Sequence, residues 1–273
     1  MHPPVALTVA GSDSGAGAGL QADLKAFAAH RVFGTCVVSA VTAQNTVGVL
    51  GVVPMTPQFV ELQLEAVLGD FPVVATKTGM LASSDIVCTV ARWAAAGRLP
   101  NLVVDPVLAS STGMALLDDG ALDAYRDALL PHALVVTPNL REAALLTGAT
   151  VGDVDSMIAA ARRLADMGPP VVVVKGGHLG HDASPDVVLC RGELTVLDAP
   201  RWPTTADHGT GCTLSATIAA LLAHGREPVA AVAEAKRYVA GALRQAADWH
   251  LGAGRGPLDH FGWGDHERHC GRH

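Results

Sequence analysis

The stretch His208-Gly209-Thr210-Gly211-Cys212-Thr213 leads directly into an apolar segment, residues 214–223, that is typical of a buried helix. A helix N-terminus presents unpaired N–H groups and the positive end of the helix dipole, so it attracts anions. Gly209 and Gly211 leave room for an anion to approach the backbone. Beside this anion hole we expect the pKa of the Cys212 thiol to be lowered. The stretch predicts either a phosphate site with a base beside it, or a plain loop followed by a small core cysteine.

Chemically versatile side chains also follow three short apolar runs. They are Asp105 after residues 102–104, Thr137-Pro138-Asn139 with Glu142 one helical turn further after residues 134–136, and Lys175 after residues 171–174. In open parallel sheets, ligands bind at the carboxyl ends of strands. Asp105 and Glu142 could hold Mg²⁺ together with phosphate oxygens, or they could serve a turn and a helix N-terminus. Lys175 predicts either a phosphate contact or a structural ion pair, since a lysine ending a buried strand needs a partner.

Two further segments near the N-terminus could contact a ligand. The first apolar run, residues 5–10, precedes the glycine-rich segment 11–19 and a helix that carries Asp23. That segment is neither a P-loop nor a clean GxGxxG, so it predicts either a ligand cradle or a flexible turn, and Asp23 is either part of a site or a solvated charge. Gln44, near the end of the second run, offers a donor and an acceptor to a heterocycle, or else bonds the local backbone.

The composition limits the class of protein. The 273 residues are 49% hydrophobic and 16% charged, with a formal net charge of −7, so we expect neither nucleic acid nor an anionic membrane as partner. No apolar stretch is long enough to span a bilayer, and the N-terminus has no signal-peptide pattern. The five cysteines are scattered, without a CxxC pair, which favours a reducing cytoplasm over a zinc site or a disulfide framework.

Apolar runs alternate with helical patterns along almost the whole chain. The predicted strands are 5–10, 36–41, 49–53, 73–76, 102–104, 134–137, 171–174 and a late hairpin of 187–189 with 194–197; the predicted helices are 20–30, 57–68, 85–96, 122–129, 141–147, 154–167, 213–224 and 228–249. Nearly all-apolar central strands favour a mostly parallel sheet with helices on both faces. No linker or repeat divides the chain, so we expect one domain over residues 1–262 and an irregular tail over 263–273.

Several motifs together resemble one known family. They are Ala6-Leu7-Thr8-Val9-Ala10-Gly11-Ser12-Asp13, Ala16-Gly17-Ala18-Gly19-Leu20-Gln21-Ala22-Asp23, Thr42-Ala43-Gln44-Asn45-Thr46, Lys77-Thr78-Gly79-Met80-Leu81, Val104-Asp105-Pro106-Val107, Thr137-Pro138-Asn139-Leu140-Arg141-Glu142-Ala143, Val174-Lys175-Gly176-Gly177-His178, His208-Gly209-Thr210-Gly211-Cys212-Thr213, and Gly256-Pro257-Leu258 with His260-Phe261. In this order they resemble the ribokinase-like superfamily, specifically the bacterial hydroxymethylpyrimidine/phosphomethylpyrimidine kinases of thiamine biosynthesis.

The resemblance implies a three-layer α/β/α ribokinase-like fold and ATP-dependent phosphorylation of 4-amino-5-hydroxymethyl-2-methylpyrimidine, then of its monophosphate. It also implies a cytoplasmic homodimer with a small-molecule substrate. By analogy the site residues have the following roles: Gln44 and Asp23 at the pyrimidine edge; Gly11, Met80 and Val107 lining its pocket; Asp105 and Glu142 at Mg²⁺; Lys175, Asn139 and Thr210 at ATP; and Gly209, Thr210, Gly211 and Cys212 in the anion hole, with Cys212 as base and Lys175 as catalytic cation.

One departure from the family pattern lies next to the anion hole, and two alternative functions stay open. Asp207 stands before His208 where relatives commonly have other residue pairs, which predicts different local hydrogen bonding. A pyridoxal kinase of the same superfamily would often carry a lid cysteine, whereas the corresponding segment 108–113 has none. A non-catalytic pyrimidine-binding protein would not need the set Asp105, Glu142, Lys175 and Cys212. The tail carries His266, His269, Cys270 and His273, which could bind a metal but suit a disordered tail better.

Overall fold

The computed structural model describes residues 2–108, 120–177, 179 and 184–261. Within these ranges the strands are β1 (Val5–Asp13), β2 (Phe33–Gln44), β3 (Val49–Pro54), β4 (Val73–Thr78), β5 (Leu102–Val104), β6 (Val135–Val136), β7 (Val171–Lys175), β8 (Asp186–Cys190) and β9 (Glu193–Leu197). They form one sheet in the order β3-β2-β1-β4-β5-β6-β7-β8-β9. The strands from β2 to β7 in that order pair in parallel, while β3, β8 and β9 are antiparallel to their neighbours.

The helices of the described ranges are α1 (Gly19–Ala29), α2 (Pro57–Asp70), α3 (Ser84–Ala95), α4 (Ala121–Asp123, continued by a π-helical segment Ala124–Leu129 and a 3-10 turn Leu130–His132), α5 (Leu140–Thr147), α6 (Val154–Ala165), α7 (Thr210–Ala223) and α8 (Pro228–Gln245). None of them is long and apolar enough to cross a membrane. Residues 109–113 of the segment compared with the pyridoxal kinase lid, and the histidine-rich tail, lie outside the described residues.

Two apolar cores lie on opposite faces of the sheet. Leu102 and Val104 of β5 point into a core built with α2, α3, α5 and α6, while Val103 between them points into a core built with α1, α7 and α8. This alternation follows from the pleat of a strand, which sends successive side chains to opposite faces. Strands buried on both faces therefore read as continuous apolar runs, and the predicted three-layer α/β/α fold is confirmed.

The predicted elements are all present, but most of them begin or end one to four residues away from the predicted positions; α8, for example, ends at Gln245 rather than at residue 249. β1 continues to Asp13, past a register shift between Ala10 and Gly11, so the expected glycine loop is three residues shorter. β2 continues to Gln44 because β3 pairs with it up to that residue. α7 begins at Thr210, three residues before the predicted start, and the two glycines of the motif therefore lie at its first turn.

Candidate functional site

A buried ion pair joins the carboxyl ends of β5 and β7. Nζ of Lys175 lies 2.9 Å from Oδ1 of Asp105, with 14% of the lysine side chain and 2% of the aspartate side chain exposed. The backbone N–H of Lys175 donates to Pro138 O at 2.9 Å, which aligns the end of β7 with the segment that follows β6. Burial opposes the charge on Lys175, but Asp105 and Glu142 outweigh this effect and raise its pKa. The structural ion pair expected as an alternative for Lys175 is therefore present, and its residual exposure leaves it open to a ligand.

Asp105 is held by neutral donors as well as by Lys175. Thr137 donates its hydroxyl to Oδ1 at 3.3 Å, and Ser215 on α7 donates to Oδ2 at 3.3 Å. Burial raises the pKa of Asp105, but Lys175 and Lys77 lower it more, so the pKa lies below its usual value. The carboxylate is thus ionised and fixed at the strand end.

Glu142 belongs to the capping box that begins α5. Its Oε2 accepts the N–H of Asn139 at 2.8 Å, and Asn139 Oδ1 accepts the N–H of Glu142 at 2.9 Å. This is the helix-start role left open by the sequence. Burial, opposed by Lys175 and supported by Asp105, raises the pKa of Glu142 to about 7. A cation bound beside Glu142 would stabilise its ionised form, because the added positive charge would offset both burial and the repulsion from Asp105.

The N-terminus of α7 is open beside Lys175. Gly209 is the N-cap with φ +86°, a left-handed conformation, and a Cβ there would lie 1.9 Å from Gly17 O, so glycine is required on both counts. A Cβ on Gly211 would lie 3.1 Å from Nζ of Lys175. Thr210 donates its hydroxyl to Asp207 O at 2.6 Å, whereas the N–H groups of Gly211 and Cys212 meet no acceptor within the described ranges. Free N–H groups, a helix dipole and an ammonium group therefore face the same point.

The expectation of a lowered thiol pKa at Cys212 is wrong. Burial raises the pKa of this thiol to about 11. Lys77 and the N–H of Gly19 lower it, while Asp23 and Asp105 raise it further. The helix N-terminus is thus outweighed by loss of water and by two nearby carboxylates.

Asp23, which the resemblance places at the pyrimidine edge, forms a buried ion pair with Lys77. Its side chain is fully buried, with both carboxylate oxygens 2.9 Å from Nζ of Lys77 and Oδ2 2.6 Å from the donating hydroxyl of Thr8. Lys77 is equally buried, and Asp23, Cys212 and Asp105 raise its pKa against the opposing effect of burial. A Cβ on Gly79 would lie 2.8 Å from Nζ of Lys77, so glycine leaves room for this ion pair.

The predicted pocket residues do come together. Met80 and Val107 share a small apolar cluster with Ala40, and a Cβ on Gly11 would lie 2.3 Å from the Met80 methyl group. Gln44 is half-buried at the end of β2; its Oε1 lies 3.2 Å from the Thr42 hydroxyl oxygen and its Nε2 lies 3.1 Å from Nε2 of His208. Gly11 is thus a glycine because Met80 packs over it.

The donor set fits a magnesium ion bound together with phosphate. Mg²⁺ takes one or two protein carboxylates, with water and phosphate oxygens completing the octahedron. Asp105 follows β5, and Glu142 lies in the first turn of α5, which follows the neighbouring strand β6. No group of three or more metal-binding side chains is found in the part of the chain that the structure describes. The protein alone would therefore hold the ion weakly, and a phosphorylated ligand would complete the site.

Sequence reasoning did not identify three residues that the structure brings to the site. Lys77 lies under Cys212, Ser215 binds Asp105, and Asp13 binds His208 at 3.0 Å. Lys77, Asp13 and His208 all lie within the recognised motifs. A lysine inside an otherwise buried apolar strand was a usable signal for Lys77, since it requires a buried partner.

Two solved kinases have the same fold as this chain. Pyridoxal kinase from Staphylococcus aureus, in complex with AMP-PCP and pyridoxal, matches 97% of this chain and 96% of its own with 35% identity and a TM-score of 0.87. Phosphomethylpyrimidine kinase from Clostridium difficile matches 86% of this chain and 97% of its own with 37% identity and a TM-score of 0.77. The fold is thus that of the ribokinase-like kinases.

The sequence comparisons identify the family. A hydroxymethylpyrimidine/phosphomethylpyrimidine kinase from Synechococcus elongatus is 47% identical over 96% of this chain and 98% of its own length. The family model of phosphomethylpyrimidine kinase matches residues 13–259. The chain belongs to the phosphomethylpyrimidine kinase family.

Proposed function

We propose that this protein transfers the γ-phosphoryl group of ATP to the hydroxymethyl group of 4-amino-5-hydroxymethyl-2-methylpyrimidine, and then phosphorylates the monophosphate to the diphosphate, for thiamine biosynthesis. The family membership supports the reaction class. The observation that carries the proposal to this site is the convergence of Lys175, Asp105 and the open N-terminus of α7 at one edge of the sheet.

The geometry supports catalysis by positioning and charge. Lys175 and the N–H groups of Gly211 and Cys212 would hold the phosphate oxygens and stabilise the charge that develops on them during transfer. Thr210 and Asn139 fix the ends of the two helices that border this point. Asp105 and Glu142 would hold Mg²⁺, which supplies charge neutralisation between phosphate oxygens when bound. Gly11, Met80 and Val107 would line the heterocycle pocket, with Gln44 at its edge.

Asp23 has a different role in this proposal from the one that its motif implied. A carboxylate with no exposed surface and two bonded partners cannot meet a substrate without breaking a buried ion pair. We assign it to holding Lys77 beneath the site. The homodimer and the cytoplasmic location remain proposals from the family resemblance.

A second candidate function has one specific observation in its favour. The pyridoxal kinase neighbours align with this chain at TM-scores of 0.86–0.88, so the same backbone can carry a pyridoxal site. Pyridoxal also presents a hydroxymethyl group on a flat nitrogen heterocycle. The segment 108–113 lacks the lid cysteine, which favours the pyrimidine kinase over this alternative.

An ADP-release assay with Mg-ATP tests the proposal. Hydroxymethylpyrimidine, its monophosphate and pyridoxal are compared at equal concentrations. We expect turnover of both pyrimidines at kcat/KM at least about tenfold above that of pyridoxal, a difference of about 1.4 kcal/mol in transition-state stabilisation. Preference for pyridoxal would replace the proposal with the second candidate, and no turnover of any of the three would refute both.

The role of Cys212 as base has its own test. Because the thiol pKa is about 11 in the free protein, a thiolate base predicts kcat/KM that rises with pH between 7 and 10. We expect Cys212→Ala to lose most turnover and this rise, while Cys212→Ser, of nearly the same size, keeps the fold. Near-normal turnover of the alanine variant would remove Cys212 from the role of base and leave catalysis to positioning and charge.

A further inference from the structure

Three side chains from distant parts of the sequence meet at the ends of β1 and β2 and before α7. Asp13 ends β1, Gln44 ends β2, and His208 precedes α7. Nε2 of His208 lies 3.0 Å from Oδ2 of Asp13 and 3.1 Å from Nε2 of Gln44. Only 3% of the Asp13 side chain and 11% of the His208 side chain are exposed, so solvent competes little for these hydrogen bonds.

Asp13 is fixed as an ionised acceptor. The N–H groups of Gly15, Gly17 and Ala18 donate to its carboxylate at 2.8, 3.1 and 2.8 Å. Burial raises the pKa of Asp13, but His208 and the backbone donors outweigh it, and the pKa lies below its usual value. The group that faces this carboxylate must therefore be a donor.

That requirement fixes the chemistry of the imidazole. A ring nitrogen either donates through its hydrogen or accepts through its lone pair, not both. Facing Asp13, Nε2 of His208 carries the hydrogen. The atom of Gln44 that faces the same nitrogen must then be an acceptor, which only the amide oxygen can be, so Asp13 and Gln44 share the single Nε2–H of His208.

Thr42 supports the same orientation of the amide from the other side. The hydroxyl of Thr42 donates to Ser12 O at 2.9 Å, so its lone pairs are available to accept from the other end of the Gln44 amide, 3.2 Å away. Oxygen and nitrogen of an amide are nearly equal in size and can exchange places without steric cost. With the oxygen towards His208 and the nitrogen towards Thr42, every group in the cluster has a matching partner, and one amide N–H is left for a ligand.

His208 has little freedom to leave this position. A Cβ on Gly17 would lie 2.5 Å from Cδ2 of the imidazole, so the ring packs directly against the glycine backbone. The N–H of His208 donates to Gly256 O at 3.0 Å, and the neighbouring Asp207 forms a bidentate ion pair with Arg255 at 2.6 and 2.7 Å. The departure at Asp207 thus ties this loop to the C-terminal segment.

We propose that His208, held by Asp13, is a positioning residue that fixes the orientation of the Gln44 amide and thereby sets which heterocycles the site accepts. The ligand is a ring whose acceptor nitrogen takes the remaining amide N–H. This inference rests on the proposed role of Gln44 at the substrate edge, and it assigns to the Asp13–His208 pair a function in substrate specificity rather than in phosphate binding.

Steady-state kinetics of His208→Ala and His208→Gln test the proposal. Loss of the imidazole should raise KM for hydroxymethylpyrimidine about tenfold or more, since a hydrogen bond to a charged network is lost, while KM for ATP stays within about twofold. The glutamine variant offers an N–H at similar reach and should recover most of the loss. The matched control is His224→Ala, whose ring bonds His30 O at the far end of α7 and which should change neither constant.

An unchanged KM for the pyrimidine in His208→Ala would overturn the proposal. If KM rose equally for the pyrimidine and for ATP and His208→Gln did not restore either value, His208 would have only a structural role. That result would overturn the proposal as well. Nitrogen NMR of the ligand-free protein gives an independent readout: we expect hydrogen on Nε2 of His208, and a lone pair there would refute the orientation argued above. If the wild type phosphorylates only another heterocycle, the proposed function fails while the NMR experiment still decides the tautomer.

Discussion

Replacing Lys77 with Met should destabilise the fold strongly, because Lys77 is the buried partner of a buried carboxylate. In the wild type both oxygens of Asp23 lie 2.9 Å from its ammonium group, and neither side chain has exposed surface. Methionine has a similar length, so Lys77→Met leaves little cavity but removes the charge. Asp23 would keep only the hydroxyl of Thr8 as a donor.

The expected cost follows from this burial. Breaking a buried ion pair by removing one partner costs about 3–5 kcal/mol, because the other charge is left uncompensated. Removing both charges costs much less, so Asp23→Asn/Lys77→Met should lie within about 1.5 kcal/mol of the wild type. In the single variant, burial raises the folded-state pKa of Asp23 above the unfolded value. The contribution of Asp23 to the free energy of unfolding of this variant is therefore most favourable below about pH 4. It is lost as the pH rises from about 4 towards that raised pKa.

Urea unfolding at pH 5 and pH 8, followed by circular dichroism, measures these free energies. We expect the deficit of Lys77→Met to be larger at pH 8 than at pH 5, and the double variant to recover most of it. The matched control is Arg92→Met, which breaks the exposed Arg92–Glu61 pair, 60% and 40% exposed, and should cost less than about 1 kcal/mol. A single variant within 1 kcal/mol of the wild type, or a double variant no better than the single, would refute the reasoning.

Two further changes test the phosphate and metal ends of the site. Gly211→Ala places a methyl group 3.1 Å from Nζ of Lys175. We therefore expect KM for ATP to rise several-fold while KM for the pyrimidine stays unchanged. Equal changes in the two KM values would contradict a specific effect on Lys175. Glu142→Gln removes a carboxylate whose pKa is raised to about 7, so in EDTA it should stabilise the protein above pH 7, by no more than about 3 kcal/mol, and have no effect below pH 4. Urea midpoints across that pH range measure the effect, and a gain that persists at pH 4 would show another cause.

The local elements were predictable because their signals are local. The sequence predicts buried strands at residues 102–104 and 171–174 and a hairpin of 187–189 with 194–197. The turn of that hairpin contains Arg191 and Gly192, with φ of +49° and +91°. The ends were less predictable: β2 reaches Gln44 because β3 pairs with it, and α7 starts at Thr210 because the left-handed Gly209 packs against Gly17. Both of those causes lie in other parts of the chain.

The same division holds for the site. Asp105, Glu142, Lys175 and the glycines before Cys212 could be selected because strand ends and a helix N-terminus can be inferred from a sequence. Their electrostatics could not, since pKa depends on which charges and how much water surround a group in three dimensions. The motif alone suggests a low pKa for Cys212, whereas burial and the carboxylates of Asp23 and Asp105 raise it to about 11.

By itself the sequence determined the fold class and the family, and it selected the candidate site residues, because apolar periodicity and motif order are properties of the chain. Tertiary structure alone decided which of those residues are partners. Thr8, Asp23 and Lys77 are separated by up to 69 positions of sequence numbering yet form one buried cluster, and Asp13, Gln44 and His208 form another. The physical reason is that parallel strands bring their carboxyl ends to one edge, and only packing fixes which side chains there lose water and must bind one another.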